Sequence, residues 1–521
     1  MSSVQLELSR SITGNLLSGL EYLTGYPYGC VEQIMSKALP NAVIGRALRQ
    51  LDQLELAPAD LDQMVEEGIQ MLYAKQHYDG GWGWWYDDAT HDYQTAWVLF
   101  GLATTRDAGY AVDGDVIQDG VDWLLQHLDS MDPRTEAFAL FSLSTAGYTE
   151  LSASRELFNE RQSLDAFSRA ALAIVLDADG EDAEARMLLN ELLEVVVQEG
   201  GYSFWLSPTE DGHYYDKAMA SSTRTTAMAL SALLKIDPDP DLTDQIARWL
   251  MSQRRSYGWG TTNETAFALL ALSDYVLTTR EAAETSGYRV LLNGSAIAQG
   301  TLTSDQPRID ITVSADQLAD GINQLQITRT DAGLLYYSMV AQRYIPQAEI
   351  GPAGSILLER RYLDPSTRSP IDHIKLGQLV LVELEISTQR DGFYMLIEDH
   401  LPGGLEALNE GLNTSSHEFT EYGDPEYRWS TLGYNYKEVR ADRVTFFITE
   451  VDRGEQTLRY FARATQEGQF TALPAEAYGM YDAALWGRSS STSIDVMSSA
   501  TAGVTLREVA VVPGTEGVPL P

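Results

Sequence analysis

The sequence predicts an all-α domain followed by all-β units. Three observations carry that prediction. Apolar residues recur at helical spacing across residues 13–280, a Gly-aromatic turn repeats ahead of small-residue helices in that stretch, and after about residue 281 the texture switches to period-two alternation punctuated by Gly and Pro.

Within the helical stretch, Leu16, Leu17, Leu20 and Leu23, and again Val121, Leu124, Leu125 and Leu128, fall on one helix face. The repeated turns are Gly80-Gly81-Trp82-Gly83-Trp84-Trp85, Gly200-Gly201-Tyr202-Ser203-Phe204-Trp205 and Tyr257-Gly258-Trp259-Gly260. The helices that follow are expected to start near Asp92, Ser222 and Thr262; a related helix from Pro133 lacks a clear glycine turn. Small residues let helices approach closely, and the polar starts can cap them. Repeats of this kind stack helix pairs around a shared core. The pattern resembles an α/α toroid, the closed helical barrel of terpene cyclases, protein prenyltransferases and thioester domains.

Beyond residue 281, Tyr288 to Ser295 carries a hairpin signal at Asn293-Gly294. Ile309 to Val313 and Gln324 to Thr328 alternate with period two. Pro346 to Ser355 reads as a linker. Leu379 to Ile386, Phe393 to Ile397, Arg443 to Val451 and Thr457 to Ala464 then read as strands, and spaced strands with Gly and Pro turns indicate a β-sandwich.

Length and composition narrow the function. The chain has 521 residues, enough for two to four domains, with 44% apolar and 21% charged residues, a globular balance. No apolar run approaches the ~20 residues of a membrane span. Residues 1–30 show neither a basic n-region nor a small-residue cleavage site, so a targeting signal for an exported protein would lie upstream. The formal charge of −39 argues against nucleic-acid binding, which needs clustered Lys and Arg. It reads as a solvated acidic surface, suited to a salty habitat, in preference to a docking face for basic partners. There is one cysteine, Cys30, so no intramolecular disulfide can form. Neither a phosphate loop nor a Gly-x-Gly-x-x-Gly after a strand is present, and no metal or other cofactor is expected.

A lone cysteine is ordinarily a small buried hydrophobe; the neighbours of Cys30 change that reading. They are Gly25-Tyr26-Pro27-Tyr28-Gly29-Cys30-Val31-Glu32-Gln33. Pro27 and Gly29 suit a tight turn, and the run from Val31 can start a helix. The segment resembles the thioester motif of the alpha-2-macroglobulin and complement family, Cys-x-Glu-Gln behind a Pro-x-Gly turn, and Val31 in place of the usual animal glycine is closer to the bacterial branch. The resemblance implies a thioester between Cys30 and Gln33. Residues three apart share a face, so the Cys30 sulfur can reach the Gln33 side-chain carbonyl. Loss of ammonia gives the thioester, and a lysine amine of a target protease then takes the Gln33 acyl group in a single turnover. Glu32 reads as a structural or helix-start carboxylate.

A thioester must be kept dry. Tyr26 and the aromatic residues Trp82, Trp84 and Trp85 are candidate shields, although core packing is the ordinary role of such residues. Gly468 to Tyr481, continuing through Leu485 to Ser489, resembles the C-terminal domain of bacterial relatives, which implies that Met480 and Tyr481 lock the bond. Some animal members relay the acyl group through a histidine; neither His91 nor His127 stands in a matching context, so direct aminolysis is implied.

The resemblance covers nearly the whole chain. It implies that residues 1–12 are the last strand of the first half of a CUB-like domain, 13–280 the thioester domain, 281–346 the second half of the CUB-like domain, and 347–521 a C-terminal macroglobulin-like β-sandwich. It further implies a broad-spectrum endopeptidase inhibitor rather than an enzyme, exported to the periplasm or cell surface for innate defence, with target proteases and upstream macroglobulin domains of the same protein as partners. A covalent thioester adhesin is the second reading. A toroid enzyme is the third, but a cyclase wants Asp-x-Asp-Asp, which Asp237-Pro-Asp-Pro-Asp241 does not supply, and a prenyltransferase wants a zinc site for which the sole cysteine is already used.

Overall fold

Two kinds of helix alternate through the first part of the chain, and their burial tells them apart. The structure is a computed structural model describing residues 2–12, 16, 20, 23, 29–51, 54, 57–207, 219–255, 258–279, 285–303, 305–331, 334–344, 350–371, 373–409, 433–482 and 484–498. Among these, α1 (Val31–Gln50), α3 (Asp92–Asp107), α5 (Pro133–Ala146), α7 (Ala166–Ala178), α9 (Ser222–Ile236) and α11 (Thr262–Thr279) are buried on nearly every side. In α2 (Leu61–Tyr73), α4 (Gly114–His127) and α10 (Pro240–Ser252) burial is confined to one stripe, such as Leu61, Val65, Gly68, Ile69 and Leu72. The buried helices pack in the order α1, α3, α5, α7, α9, α11 and back to α1, closing a ring, while α2, α4, α8 (Asp182–Glu194) and α10 pack outside it. The short α6 (Leu151–Asn159) lies between α5 and α7. This is the predicted helical toroid.

Local chemistry starts these helices where they start. Asp113, Asp132, Asp165, Ser221 and Asp239 each accept a backbone N–H of the first turn, and Pro133 and Pro240 occupy first-turn positions where a missing N–H costs nothing. The repeated aromatic turns share one clamp. Trp82, Trp205 and Trp259 donate their indole N–H to Leu72, Leu192 and Leu250 at the end of the preceding outer helix, at 2.9, 2.8 and 2.6 Å. Their backbone N–H groups donate to the hydroxyls of Thr95, Thr226 and Thr265 in the following inner helix, at 3.0, 3.0 and 2.9 Å. Each turn thus pins an outer helix end to an inner helix start.

Around the toroid sits a small β structure. Strand β1 (Ser2–Ser9) pairs antiparallel with both β6 (Arg308–Val313) and β8 (Tyr336–Arg343), so the whole helical stretch is an excursion between β1 and the strands that follow it. A second sheet holds β5 (Ser295–Leu302), β4 (Ser286–Leu292) and β7 (Leu325–Arg329). The β4–β5 hairpin turns at Asn293 and Gly294, both with positive φ (50° and 83°), the conformation the Asn-Gly pair predicts. Leu6, Leu8, Tyr288, Val290 and Leu302 form the shared core. The two short strands β2 (Val197–Glu199) and β3 (Tyr202–Phe204) make the second aromatic turn a small hairpin.

Residues Met1–Tyr344 form one compact unit and Ile345–Pro521 another. The second unit is all β. One sheet runs β10 (Leu357–Leu363), β12 (Leu379–Thr388), β17 (Gly454–Ala464), β14 (Leu405–Ala407). The other runs β15 (Tyr436–Val439), β16 (Arg443–Val451), β13 (Gly392–His400), β19 (Glu476–Gly479), β20 (Trp486–Arg488), β9 (Ala353–Gly354). Their facing residues, among them Val380, Val382, Leu384, Ile397, Phe446 and Leu458, make a single core. Inside it Asp399 accepts from Arg360 at 2.5 Å and from Tyr460 at 2.7 Å, so the buried charges are paired. A third sheet of β11 (Ile374–Lys375), β21 (Thr492–Met497) and β18 (Gly468–Ala472) completes the unit.

Candidate functional site

Cys30 is the N-cap of α1, with extended backbone (φ −68°, ψ 166°) and 1% exposure. Gln33 closes a capping box around it. The Gln33 backbone N–H faces the Cys30 side chain, and the Gln33 side-chain oxygen Oε1 accepts the Cys30 backbone N–H at 3.3 Å. The carboxamide is therefore folded back onto the cysteine backbone. Cys30, Val31, Glu32 and Gln33 are all buried, whereas Gly29 beside them is exposed. Burial first, and then the Glu32 carboxylate, push the Cys30 thiol well above its ordinary range; the Gln33 N–H and Lys75 pull the other way. A sulfur in this setting resists carrying negative charge.

Glu32 joins the site to the far end of the helical segment. One of its oxygens accepts from Ser36 a turn later in α1, and the other from Thr262 Oγ1, the first residue of α11, at 2.8 Å. Next to Thr262, the Asn263 amide donates to Tyr93 Oη in α3 at 3.2 Å. The first turns of α1, α3 and α11 thus meet at one end of the ring, with their positive dipole ends gathered there. Sequence reasoning gave no role at this site to Ser36, Thr262, Asn263, Tyr93 or Lys75; Tyr93, Thr262 and Asn263 were visible only as parts of the polar starts of α3 and α11.

The aromatic candidates occupy different places. Trp82 is fully buried and held by its indole bond to Leu72, a core position. Trp84, at 5% exposure, accepts the Val31 N–H with its backbone carbonyl at 3.0 Å, which ties the first aromatic turn to the residue after Cys30. Trp85 is half-buried; Lys75 Nζ lies 5.5 Å from its ring centre and His77 Nε2 contacts its carbonyl at 2.9 Å. Burial pushes His91, the N-cap of α3, down to about 4. Tyr26 and Pro27 lie outside the described residues. In the second unit Met480 and Tyr481 follow β19. The Met480 N–H donates to the Tyr394 carbonyl at 2.9 Å, and the Tyr394 and Tyr481 rings meet edge-on at 5.7 Å. Among the described residues no group of three or more His, Cys, Asp or Glu could hold a metal ion, and no helix is long and apolar enough to cross a membrane.

Comparison with known proteins gives concordant matches. The family model of the A-macroglobulin TED domain matches residues 3–131 and 140–275, and that of the bacterial alpha-2-macroglobulin MG10 domain matches 356–483. An alpha-2-macroglobulin of Escherichia coli is 26% identical over 506 residues, which is 92% of this chain and 29% of that protein. Among solved structures, native E. coli alpha-2-macroglobulin from domain MG7 to the C-terminus superposes with a TM-score of 0.76 at 23% identity, over 95% of this chain and 77% of that one. Salmonella alpha-2-macroglobulin reacted with methylamine superposes with a TM-score of 0.74 at 23% identity, over 95% of this chain and 32% of that one. The chain spans less than a third of the length of the curated relatives it matches.

Proposed function

The chain belongs to the alpha-2-macroglobulin family, matching the C-terminal part of a bacterial member, and from that premise we propose that Cys30 and Gln33 form an internal thioester that captures proteases covalently. The observation that carries the reading is the Gln33 side chain folded back onto the Cys30 backbone within a buried helix start. Cys30 Sγ attacks the Gln33 side-chain carbonyl carbon, the C–N bond breaks, and the nitrogen leaves as ammonia with the thiol proton. In the product, the former Oε1 is the thioester oxygen.

The same N–H that holds Oε1 is placed to stabilise the oxygen when a lysine amine adds to the carbonyl. The N-terminus of α1 contributes in the same direction. The C–S bond then breaks, the amide to the target forms, and the amine proton passes to sulfur. Burial and Glu32 disfavour a thiolate here, which favours proton transfer to sulfur as it departs. Burial keeps water away from the acyl group until an amine arrives. The reaction consumes the site, which makes the protein an inhibitor of endopeptidases and not an enzyme.

Glu32 with Thr262, and the Trp84 carbonyl with Val31, hold the helix start in place; exclusion of water and amines is the part that the family resemblance gives to Tyr26, Trp85, Met480 and Tyr481. Target proteases and upstream macroglobulin domains of the same protein are the partners, and the periplasm or cell surface is the location where such targets are met. The test is capture itself. Incubation with a lysine-bearing serine protease should yield a conjugate that survives boiling in detergent, with an isopeptide at position 33 in its peptide map. Cys30→Ala should yield none. A conjugate formed equally by Cys30→Ala, or none from wild type whose thioester has been verified by mass, would reject covalent capture.

A further inference from the structure

One position of the helical repeat gathers its residues at the mouth of the toroid. With the inner helices aligned on Ala96, Ala137, Ala170, Ala227 and Ala266, the residues three places earlier are Tyr93, Arg134, Phe167, Arg224 and Asn263. All lie in first turns, at the end of the ring where α1, α3 and α11 meet. Arg224 is the unusual member. It is 6% exposed, with its guanidinium carbon 4.0 Å from the centre of the Phe167 ring and 5.5 Å from that of Tyr93. Its Nε and Nη1 have no hydrogen-bond partner, and it takes part in no ion pair among the described residues.

A guanidinium keeps its charge when buried, and stacking rings offer charge stabilisation but no acceptor for its N–H groups. Burying such a cation without an anion is costly. The cavity that Arg224 lines supplies a second unused donor, Ser168 Oγ, which is buried and also without a partner among the described residues. Arg134 and Thr135 line it too, so the N-terminal turns of α5 and α7 both face it with their positive ends. The one carboxylate in the lining, Asp165, is engaged in capping α7 through the Ser168 backbone N–H at 2.8 Å. The cavity measures about 10 Å³, room for a single water-sized particle. A monatomic anion suits so small a space better than phosphate, sulfate or an organic acid.

We infer that the mouth of the toroid binds one halide ion, chloride in ordinary media, between the guanidinium edge of Arg224 and the hydroxyl of Ser168. The ion neutralises the buried arginine and ties α7 and α9 together at the end of the ring that carries Cys30.

The test uses bromide as a visible substitute. Crystals of the whole chain soaked in sodium bromide should show an anomalous peak within hydrogen-bonding reach of Arg224 Nε or Nη1 and Ser168 Oγ. In solution, the ³⁵Cl resonance should broaden in a saturable way with wild type. The saturable part should vanish with Arg224→Met and weaken with Ser168→Ala, which removes one hydroxyl and keeps the helix. Should Arg224→Met fail to fold, the bromide map and Ser168→Ala decide. An ordered water without anomalous signal at that position overturns the proposal. So does broadening that is non-saturable or identical in the folded variants, the mark of an adventitious surface ion only.

Discussion

Glu32 shows how a single carboxylate can serve a site without taking part in its bond changes. It is completely buried, yet Ser36 and Thr262 donate to it and the start of α1 favours its charge. Thr262→Val removes one hydrogen bond to a buried carboxylate, which should lower the unfolding free energy by about 1–3 kcal/mol. The denaturant midpoint measures this, and an unchanged midpoint would show that the contact is idle. Glu136 makes a separate prediction about pH. Burial first, and then Glu156, Asp129, Glu160 and Asp132, push its carboxyl from 4.5 up to about 7. The folded state therefore favours the neutral acid. Its stabilising contribution is complete below 4.5 and is lost as pH rises through about 7. Glu136→Gln should flatten that loss, as read by chemical denaturation on both sides of the window. At this scale the sequence shows what is local. Cys30 and Gln33 are three residues apart and were legible from the motif, whereas Thr262 lies 230 residues from Glu32 and nothing in the spacing connects them.

At the scale of elements, the aromatic turns were legible because each needs glycine and a tryptophan, residues rare enough to stand out as a repeat. Their threonine clamps were not. Trp82 and Thr95 are 13 residues apart, Trp205 and Thr226 21, and Trp259 and Thr265 only 6, because the connecting loops differ in length while the clamp is the same. The first turn has an added duty through the Trp84 carbonyl on Val31. Gly83 makes that turn possible: a Cβ there would stand 1.9 Å from Asp88 Oδ1 and 2.6 Å from the Ala89 carbonyl. Gly83→Ala must therefore open the loop and shift Trp84 away from Val31. The expected outcome is faster spontaneous hydrolysis at position 33, followed by the mass gain of one water over time, with the helical circular dichroism retained. Hydrolysis at the wild-type rate would mean that this loop plays no part in sheltering the site.

Across the whole molecule, the switch from 3.6-residue to two-residue periodicity announced the division into helical and β parts. The pairing of β1 with strands some three hundred residues later left no trace in single-sequence spacing, and only the resemblance implied that residues 281–346 complete the domain begun by residues 1–12. Closure of the ring was implied by the likeness to a toroid, but nothing in the spacing showed that α11 meets α1 and brings Thr262 to Glu32. In the second unit, Tyr481→Gly is expected to speed methylamine uptake at position 33 without loss of β structure; uptake at the wild-type rate would remove Tyr481 from the account. The central claim, an acyl bond between Cys30 and Gln33, is tested most directly by the intact mass of freshly purified protein before and after methylamine. The account predicts a mass short of the sequence by one ammonia. Methylamine should then add its full mass at position 33 and release a titratable Cys30 thiol. A full sequence mass, with Gln33 an unmodified amide and no change on methylamine treatment, would contradict it.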